Sequence, residues 1–166
     1  MVKNMLGSKI FEPSGLDRFD QAILTALAQD GRMSVTELAD KIGLSKSPTQ
    51  ARLRRLEQTG VIQGYRAVLN PALLRLDHVA FVEVKLSDTR EAALSAFNAA
   101  VGALPQIEEA HMIAGSFDYL LKVRTKDMAQ YRQFLGEVIS ALPHVANSST
   151  YVAMEAVKGT MTLGEA

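Results

Sequence analysis

A cluster of arginines on one short helical stretch carries the first chemistry in this sequence. From Ser34 to Ile62 the chain reads SVTELADKIGLSKSPTQARLRRLEQTGVI, two short helices around a tight turn. Ser34 and Glu37 stand at capping-box spacing, and apolar Leu38, Ala39 and Ile42 follow. Gly43 supplies the residue that turns a chain at a helix end without steric cost. Ser47-Pro48 is expected to open the second helix, serine as N-cap and proline at the first helical position. On it Leu53 and Leu56 share an inward face, Gln50, Arg54 and Arg55 point elsewhere, and Arg52 lies near the boundary. A helix that presents its N-terminus and an arginine face suits a DNA major groove, as in a helix-turn-helix. The candidate DNA contacts are Lys46, Ser47, Thr49, Gln50, Arg52, Arg54 and Arg55. Glutamine can pair with adenine and arginine with guanine, while serine, lysine and helix-terminal amides favour phosphate. Two other readings stay open: Arg52 and Arg55 as braces of the helix pair, and the arginines as a solvated face.

Other chemistries lack their residues. The chain has no cysteine, which removes disulfides, thiolate metal sites and cysteine nucleophiles. His78, His111 and His144 lack metal-ligand spacing, and no phosphate loop is present. Glu108 and Glu109 are adjacent in a strand pattern, so they are expected to face opposite ways. No enzyme activity, metal or cofactor is expected. The formal net charge of zero is unevenly divided: Met1 to Arg66 hold ten Lys+Arg against seven Asp+Glu, a difference of +3, and the remainder eight against eleven, a difference of −3. The basic half suits a polyanion, though so small an excess calls for two or more copies of the unit. No signal-peptide run or membrane span is read, so a soluble cytoplasmic protein is expected.

These residues need elements to position them. Residues 1–15 read as a flexible arm and residues 16–60 as a trihelical helix-turn-helix domain. Its first helix is capped by Asp17 and striped by Phe19, Ile23 and Leu27. Residues 61–77 read as a linker strand that ends at Asn70-Pro71, followed by a connection to residue 77. Residues 78–166 alternate strand and helix: strands near 78–86, 107–114, 118–125 and 149–157, with helices over 89–104 and 128–142. The order βαββαβ is a ferredoxin-like split, so the fold class is α+β, an amino-terminal winged-type helix-turn-helix domain plus a ferredoxin-like domain. Alternation puts Ala80, Val82, Val84 and Leu86 under the helices and Val79, Phe81, Glu83 and Lys85 on the other face. The second strand divides likewise into Ala110, Met112 and Ala114 against Glu109, His111 and Ile113. Phe81 and Ile113 are too apolar for open water, and burying each against a partner sheet contributes roughly 1.5–3 kcal/mol. A back-to-back dimer is expected.

The ordered set of motifs resembles the leucine-responsive and asparagine-C (Lrp/AsnC, feast/famine) regulator family over nearly the full length, and its leucine-responsive branch most. The resemblance rests on Leu16-Asp17, Asp20, Ile23-Leu24, Asp30-Gly31-Arg32, Gly43-Leu44-Ser45, Arg52, Arg55-Leu56-Glu57 and Gly60-Val61-Ile62. Gly64-Tyr65, Leu69-Asn70-Pro71, Gly115 to Tyr119, Tyr151-Val152 and Met154-Glu155 complete it. It implies a transcription regulator of amino-acid metabolism genes that binds double-stranded DNA and an amino-acid effector. It also implies homodimers through the sheet domains, assembled into octamers or similar discs, with effectors held between dimers. The implied effector residues are Gly115, Ser116, Phe117, Asp118 and Tyr119, with Met128, Val152 and Ala153 as apolar lining. Asp118 would accept from the ligand ammonium, and Gly115 would leave amides free for its carboxylate. Two rivals are an architectural DNA-wrapping protein and a ligand sensor that acts on other proteins. The loop at Gly115 to Tyr119 argues against the first, and the arginine-bearing helix against the second.

Overall fold

The computed structural model of the protein describes residues 15–158, and the chain divides into two units between Arg66 and Ala67. All of the expected arm except Gly15 lies outside the described residues.

The amino-terminal unit starts from a capping box. The Asp17 carboxylate accepts from Phe19 and Asp20 N–H, and Asp20 accepts from Asp17 N–H, which opens α1 (Arg18–Gln29). Ser34 and Glu37 make the same exchange at the start of α2 (Val35–Ile42), and Gly43 ends it in the left-handed region at φ 72°. The recognition-type helix α3 (Lys46–Gln58) begins earlier than expected. Ser45 is its N-cap residue, and Pro48 is the third helical residue. That position tolerates proline because the first N–H groups of a helix have no partner within it. Ile23, Leu24, Ala26, Leu38 and Leu56 form the small core.

Apolar contacts are non-directional, and a buried carboxylate adds a directional hold on α3. Asp20 is 1% exposed and accepts from Arg52 Nη1 at 2.9 Å and Arg55 Nη2 at 2.5 Å. Arg52 also reaches Asp17 at 2.7 Å. Burial pushes the Asp20 pKa up, but Arg55, the Asp17 N–H and Arg52 more than offset it, so the net direction is down.

The second unit is a four-stranded antiparallel sheet in the order β2-β3-β1-β4. It comprises β1 (His78–Leu86), α4 (Glu91–Gly102), β2 (Ile107–Met112), β3 (Tyr119–Thr125), α5 (Met128–Glu137), a 3-10 turn (Ile139–Ala141) and β4 (Val145–Val152). Ala80, Val82 and Val84 pack with Leu121, Val123, Phe97, Tyr131 and Phe134 in one core, so both helices cover one face. The ferredoxin-like order and the alternation of β1 are as expected.

Four features differ from the sequence reading. No linker strand forms over 61–69. Only Leu69 makes an isolated bridge, because an extended segment is a strand only when another pairs with it. The last strand begins at Val145 rather than 149. The second helix ends at Glu137, and the 3-10 turn carries Ile139 into the core before Pro143. Finally, the register of β2 shifts between Ile107 and Glu109, and this bulge breaks alternation. Glu108 and Glu109 therefore both reach Lys122 Nζ, at 3.3 and 2.8 Å. Ala110 and Met112, expected under the helices, are exposed on this edge strand.

The Asp20 hub has a pH signature. Its folded pKa lies below the ordinary 3.8, so in the window below 3.8 the unfolded chain binds more protons and stability falls as pH falls. Asp20→Asn is expected to destabilise the amino-terminal unit at pH 7 by about 3 kcal/mol, the low end for breaking a buried pair because Arg55 stays half exposed. In thermal melts the gap between wild type and Asp20→Asn should narrow from pH 5 to pH 3. A gap independent of pH would show that Asp20 is not the titrating brace.

Candidate functional site

The outward face of α3 follows from what the inward face holds. Leu56 and Thr49 are buried, and Leu53 packs partly beneath the helix. Thr49 is 0% exposed and its hydroxyl donates to Ser45 O at 2.9 Å, so it holds the helix start and is no base contact. Arg52 and Arg55 point to Asp20, which makes the bracing reading the one the geometry supports. What remains outward is Lys46, Ser47, Gln50 and Arg54. Arg54 is exposed and, unlike Arg52 and Arg55, holds no carboxylate among the described residues.

At 100° per residue, Ser47, Gln50, Arg54 and the exposed Ala51 share one stripe. Ala51 was missed by a reading that sought only polar residues; its spacing, four from Ser47 and three to Arg54, was the available signal. Its methyl offers apolar contact to a thymine methyl and lets the helix approach closely.

The effector candidates lie elsewhere, and one chain does not bring them together. Tyr119 pairs with Val84 in β1, so the 115–118 loop stands near the carboxy-terminal end of that strand. Val152 pairs with Ala80, and Ala153 N–H donates to Val79 O. Met128 follows Thr125, which pairs with His78. The two groups are thus four to six residues apart along β1, roughly 13–20 Å at the rise of a strand. Met128 and Val152 are exposed at 55% and 40%.

Within the loop, Asp118 is already engaged. Its carboxylate accepts from Leu86 N–H at 2.7 Å and from Lys85 Nζ at 3.2 Å. The Leu86 N–H holds its pKa below the ordinary value, against desolvation and with help from Lys85. A carboxylate has about four acceptor positions, so two stay open to a ligand. These partners, 33 and 32 residues away in sequence, had no local signal. Gly115 is not in the left-handed region, and a Cβ there would meet Ile113 Cγ2 at 3.5 Å, an ordinary contact. The backbone shape expected to require glycine is absent. Tyr119 is 3% exposed with its ring 4.5 Å from Phe97, so it belongs to the core and not to a loop lining. Ser116 is exposed and Phe117 half-buried.

The face of the sheet away from the helices carries a groove of about 790 Å³ lined by Val79, Phe81, Lys122, Arg124 and residues 153–158. At its side Arg124 grips Glu108 and donates to Leu76 O at 2.7 Å. Among the described residues no group of histidines and carboxylates is arranged to hold a metal, and no helix is long and apolar enough to cross a membrane.

Comparison with known proteins agrees with this division. Residues 16–63 match a family model described as winged helix-turn-helix DNA-binding, and residues 79–163 one described as Lrp/AsnC ligand binding domain. The chain is 61% identical over 145 residues to a proline dehydrogenase transcriptional activator of Rhizobium radiobacter, covering 87% of this chain and 93% of the relative. It is 47% identical over 154 residues to the leucine-responsive regulatory protein of Salmonella typhimurium, covering 93% and 94%. A transcriptional regulator of Neisseria meningitidis, solved as a complex with L-Met, superposes with a TM-score of 0.82 at 30% identity, covering 89% of this chain and 96% of that one. With a DNA-binding helix-turn-helix joined to an amino-acid-responsive ligand domain, this chain belongs to the Lrp/AsnC family of transcription regulators.

Proposed function

We propose that the protein activates a proline dehydrogenase gene in the cytoplasm and responds to an amino acid, with proline the first candidate. The single observation that carries the target gene is the 61% identity to an activator of that name, joined by 58% identity to a second from Rhodobacter capsulatus. Ser47, Gln50, Ala51 and Arg54 read base edges, and Lys46 engages phosphate. Arg52 and Arg55 act through Asp20 by setting the angle of α3.

The effector site joins two copies: the 115–118 loop of one chain and the Met128, Val152 and Ala153 end of another. The separation of these groups within one chain supports this reading, since no single amino acid spans it. Asp118 accepts from the ligand ammonium while keeping Leu86 N–H. A second contact pairs the open sheet faces through Phe81, giving an even-numbered homo-oligomer. Its paired DNA-binding units read half-sites separated by one helical turn, about 34–36 Å, or a multiple.

On a duplex selected by the wild-type protein from a random pool, Gln50→Ala and Arg54→Ala should each weaken binding by about 1–3 kcal/mol, roughly 5–150-fold. Arg52→Ala should instead lower the melting temperature. Full affinity in both outward variants would remove this face from the interface. Proline at 100 times its dissociation constant should stabilise the protein by about 2.7 kcal/mol in thermal-shift titration. Asp118→Asn keeps an acceptor for Leu86 N–H but removes the charge, so its ligand shift should vanish while basal DNA affinity stays. An equal shift in that variant would exclude Asp118; no shift with proline but one with another amino acid would reassign the effector. In light scattering the full chain should be a dimer or larger even assembly, and Phe81→Arg should reduce its mass. A wild-type monomer at micromolar concentration would end the sheet-pairing reading.

A further inference from the structure

Three stretches that mark the family resemblance have no part in the α3 stripe or the effector ends: Asp30-Gly31-Arg32, Glu57 and Gly64-Tyr65. The fold brings them into one contact. After α3, Gly60 turns the chain in the left-handed region at φ 73°. Ile62 N–H donates to Leu56 O at 3.0 Å, and the Ile62 side chain packs on the trihelical core. The chain thus returns along its own unit instead of leaving it at the helix end. Tyr65 then makes two contacts on different elements. Its hydroxyl donates to Glu57 Oε1 on α3 at 3.0 Å. Its Cδ1 lies 3.6 Å from where a Cβ on Gly31 would stand, so the ring lies against the turn between α1 and α2. Tyr65 is half exposed; partial desolvation, then the hydrogen bond to the Glu57 carboxylate, pushes the phenol pKa up, and the hydroxyl remains a donor.

We propose that Tyr65 is a positioning residue that clamps the first part of the linker to the DNA-binding unit, so that the free tether starts after Arg66 and not after Ile62. The magnitude matters for reading DNA. Releasing residues 63–66 frees a four-residue segment whose own root-mean-square span is about 11 Å for a flexible chain. That is about three base-pair steps at 3.4 Å each. A duplex turns fully in about 10–10.5 base pairs, so three extra pairs carry a second half-site roughly a third of a turn around the axis. A clamped tether rejects that displacement, and a released one accommodates it. Tyr65 therefore sets how strictly two linked units demand one half-site spacing, without touching a base. The effective concentration of the second unit at its half-site depends on this reach.

This inference rests on the reading of two linked units on paired half-sites, and the test separates the two. Full-length wild type, Tyr65→Ala and Tyr65→Phe are titrated by fluorescence anisotropy against three duplexes. The parent duplex is selected from a random pool by the wild-type protein; the others carry a single half-site, or the pair with three base pairs inserted between them. All three proteins should bind the single half-site within about twofold of one another. The insertion should weaken wild type about tenfold or more and Tyr65→Ala about threefold or less, with Tyr65→Phe between them. Tyr65→Phe keeps the ring against Gly31 and loses only the bond to Glu57, so it also serves if Tyr65→Ala does not fold. A wild type that discriminates, beside variants that discriminate equally, overturns the clamp alone. A variant that loses single-site affinity as much as paired-site affinity also overturns it, because Tyr65 would then act within one unit. A wild type that binds single and paired sites alike removes the two-unit reading, and the clamp with it.

Discussion

The DNA-binding unit depends on one buried carboxylate. Its core of five buried apolar side chains is small, and apolar contacts are non-directional, so they set the rotation of α3 less sharply than an ion pair does. An ionised group almost without water contact must find partners, and Asp20 finds them 32 and 35 residues away on successive turns of α3. Two guanidinium groups converging on one carboxylate hold a helix about its own axis, which apolar contacts do poorly because they are non-directional. The consequence runs through to function. Three arginines stand on α3, but two are turned inward, and the outward stripe retains a single arginine beside glutamine, serine and alanine. That composition favours base discrimination over bulk attraction to phosphate. With the modest basic excess of this half, it agrees with recognition by several copies acting together.

In the second unit the governing constraint is that two helices cover one face of a four-stranded sheet. The other face is neither plainly polar nor plainly apolar. Phe81 is 38% exposed at its centre, while Glu108 and Arg124, with side chains 8% and 10% exposed, are paired at its side. Charges already satisfied within one chain place a light demand on whatever covers them: a partner need bring no counter-charge, only apolar surface that leaves the pairs intact. In the proposed pairing, adhesion would fall to Phe81, since Val79 is already buried within its own chain, and the ion pairs would restrict which registers of two sheets fit. The bulge in β2 makes this arrangement, because it turns two consecutive glutamates toward the same lysine.

Much of this was legible from local sequence, and the remainder failed for identifiable reasons. The capping box at Ser34 and Glu37, the period-two alternation of β1 and the strand-helix order depend on neighbours within a few residues, and all were readable. Asp20 was visible only among the residues that carry the family resemblance, and its role as hub needs contacts from α3 that no spacing encodes. Thr49 looked like a base contact because threonine is polar; the geometry shows its hydroxyl tied to the preceding turn. The alternation argument for Glu108 and Glu109 was sound for a regular strand and failed at a bulge. The expected strand at 61–69 had suitable residues and found a bridge partner only at Leu69. Asp118 was singled out as a turn carboxylate that could accept from a ligand ammonium; that the Leu86 N–H, 32 residues away, already holds it was not legible.

The placement of the effector residues has a consequence for assembly. β1 is a central strand, paired on both sides, so the ends that carry Asp118 and Ala153 stay at a fixed separation within each copy. The proposed site joins one end of a chain to the opposite end of its neighbour. Such a contact is heterologous: it repeats from copy to copy and gives a closed ring if the rotation closes, an open filament if it does not. Pairing of the open sheet faces is instead isologous and stops at two. A structure that uses both contacts, and whose rotation closes, would be a ring of pairs, with an even number of chains and a proposed effector site at every junction between pairs. A ligand at those junctions favours the ring over its parts only by the difference in its affinity for the two states. Differences of about 1–3 kcal/mol are typical of such coupling. Repeated around a ring they add, so a weak ligand can control the assembly, and through it the number of DNA-binding units that act on one duplex.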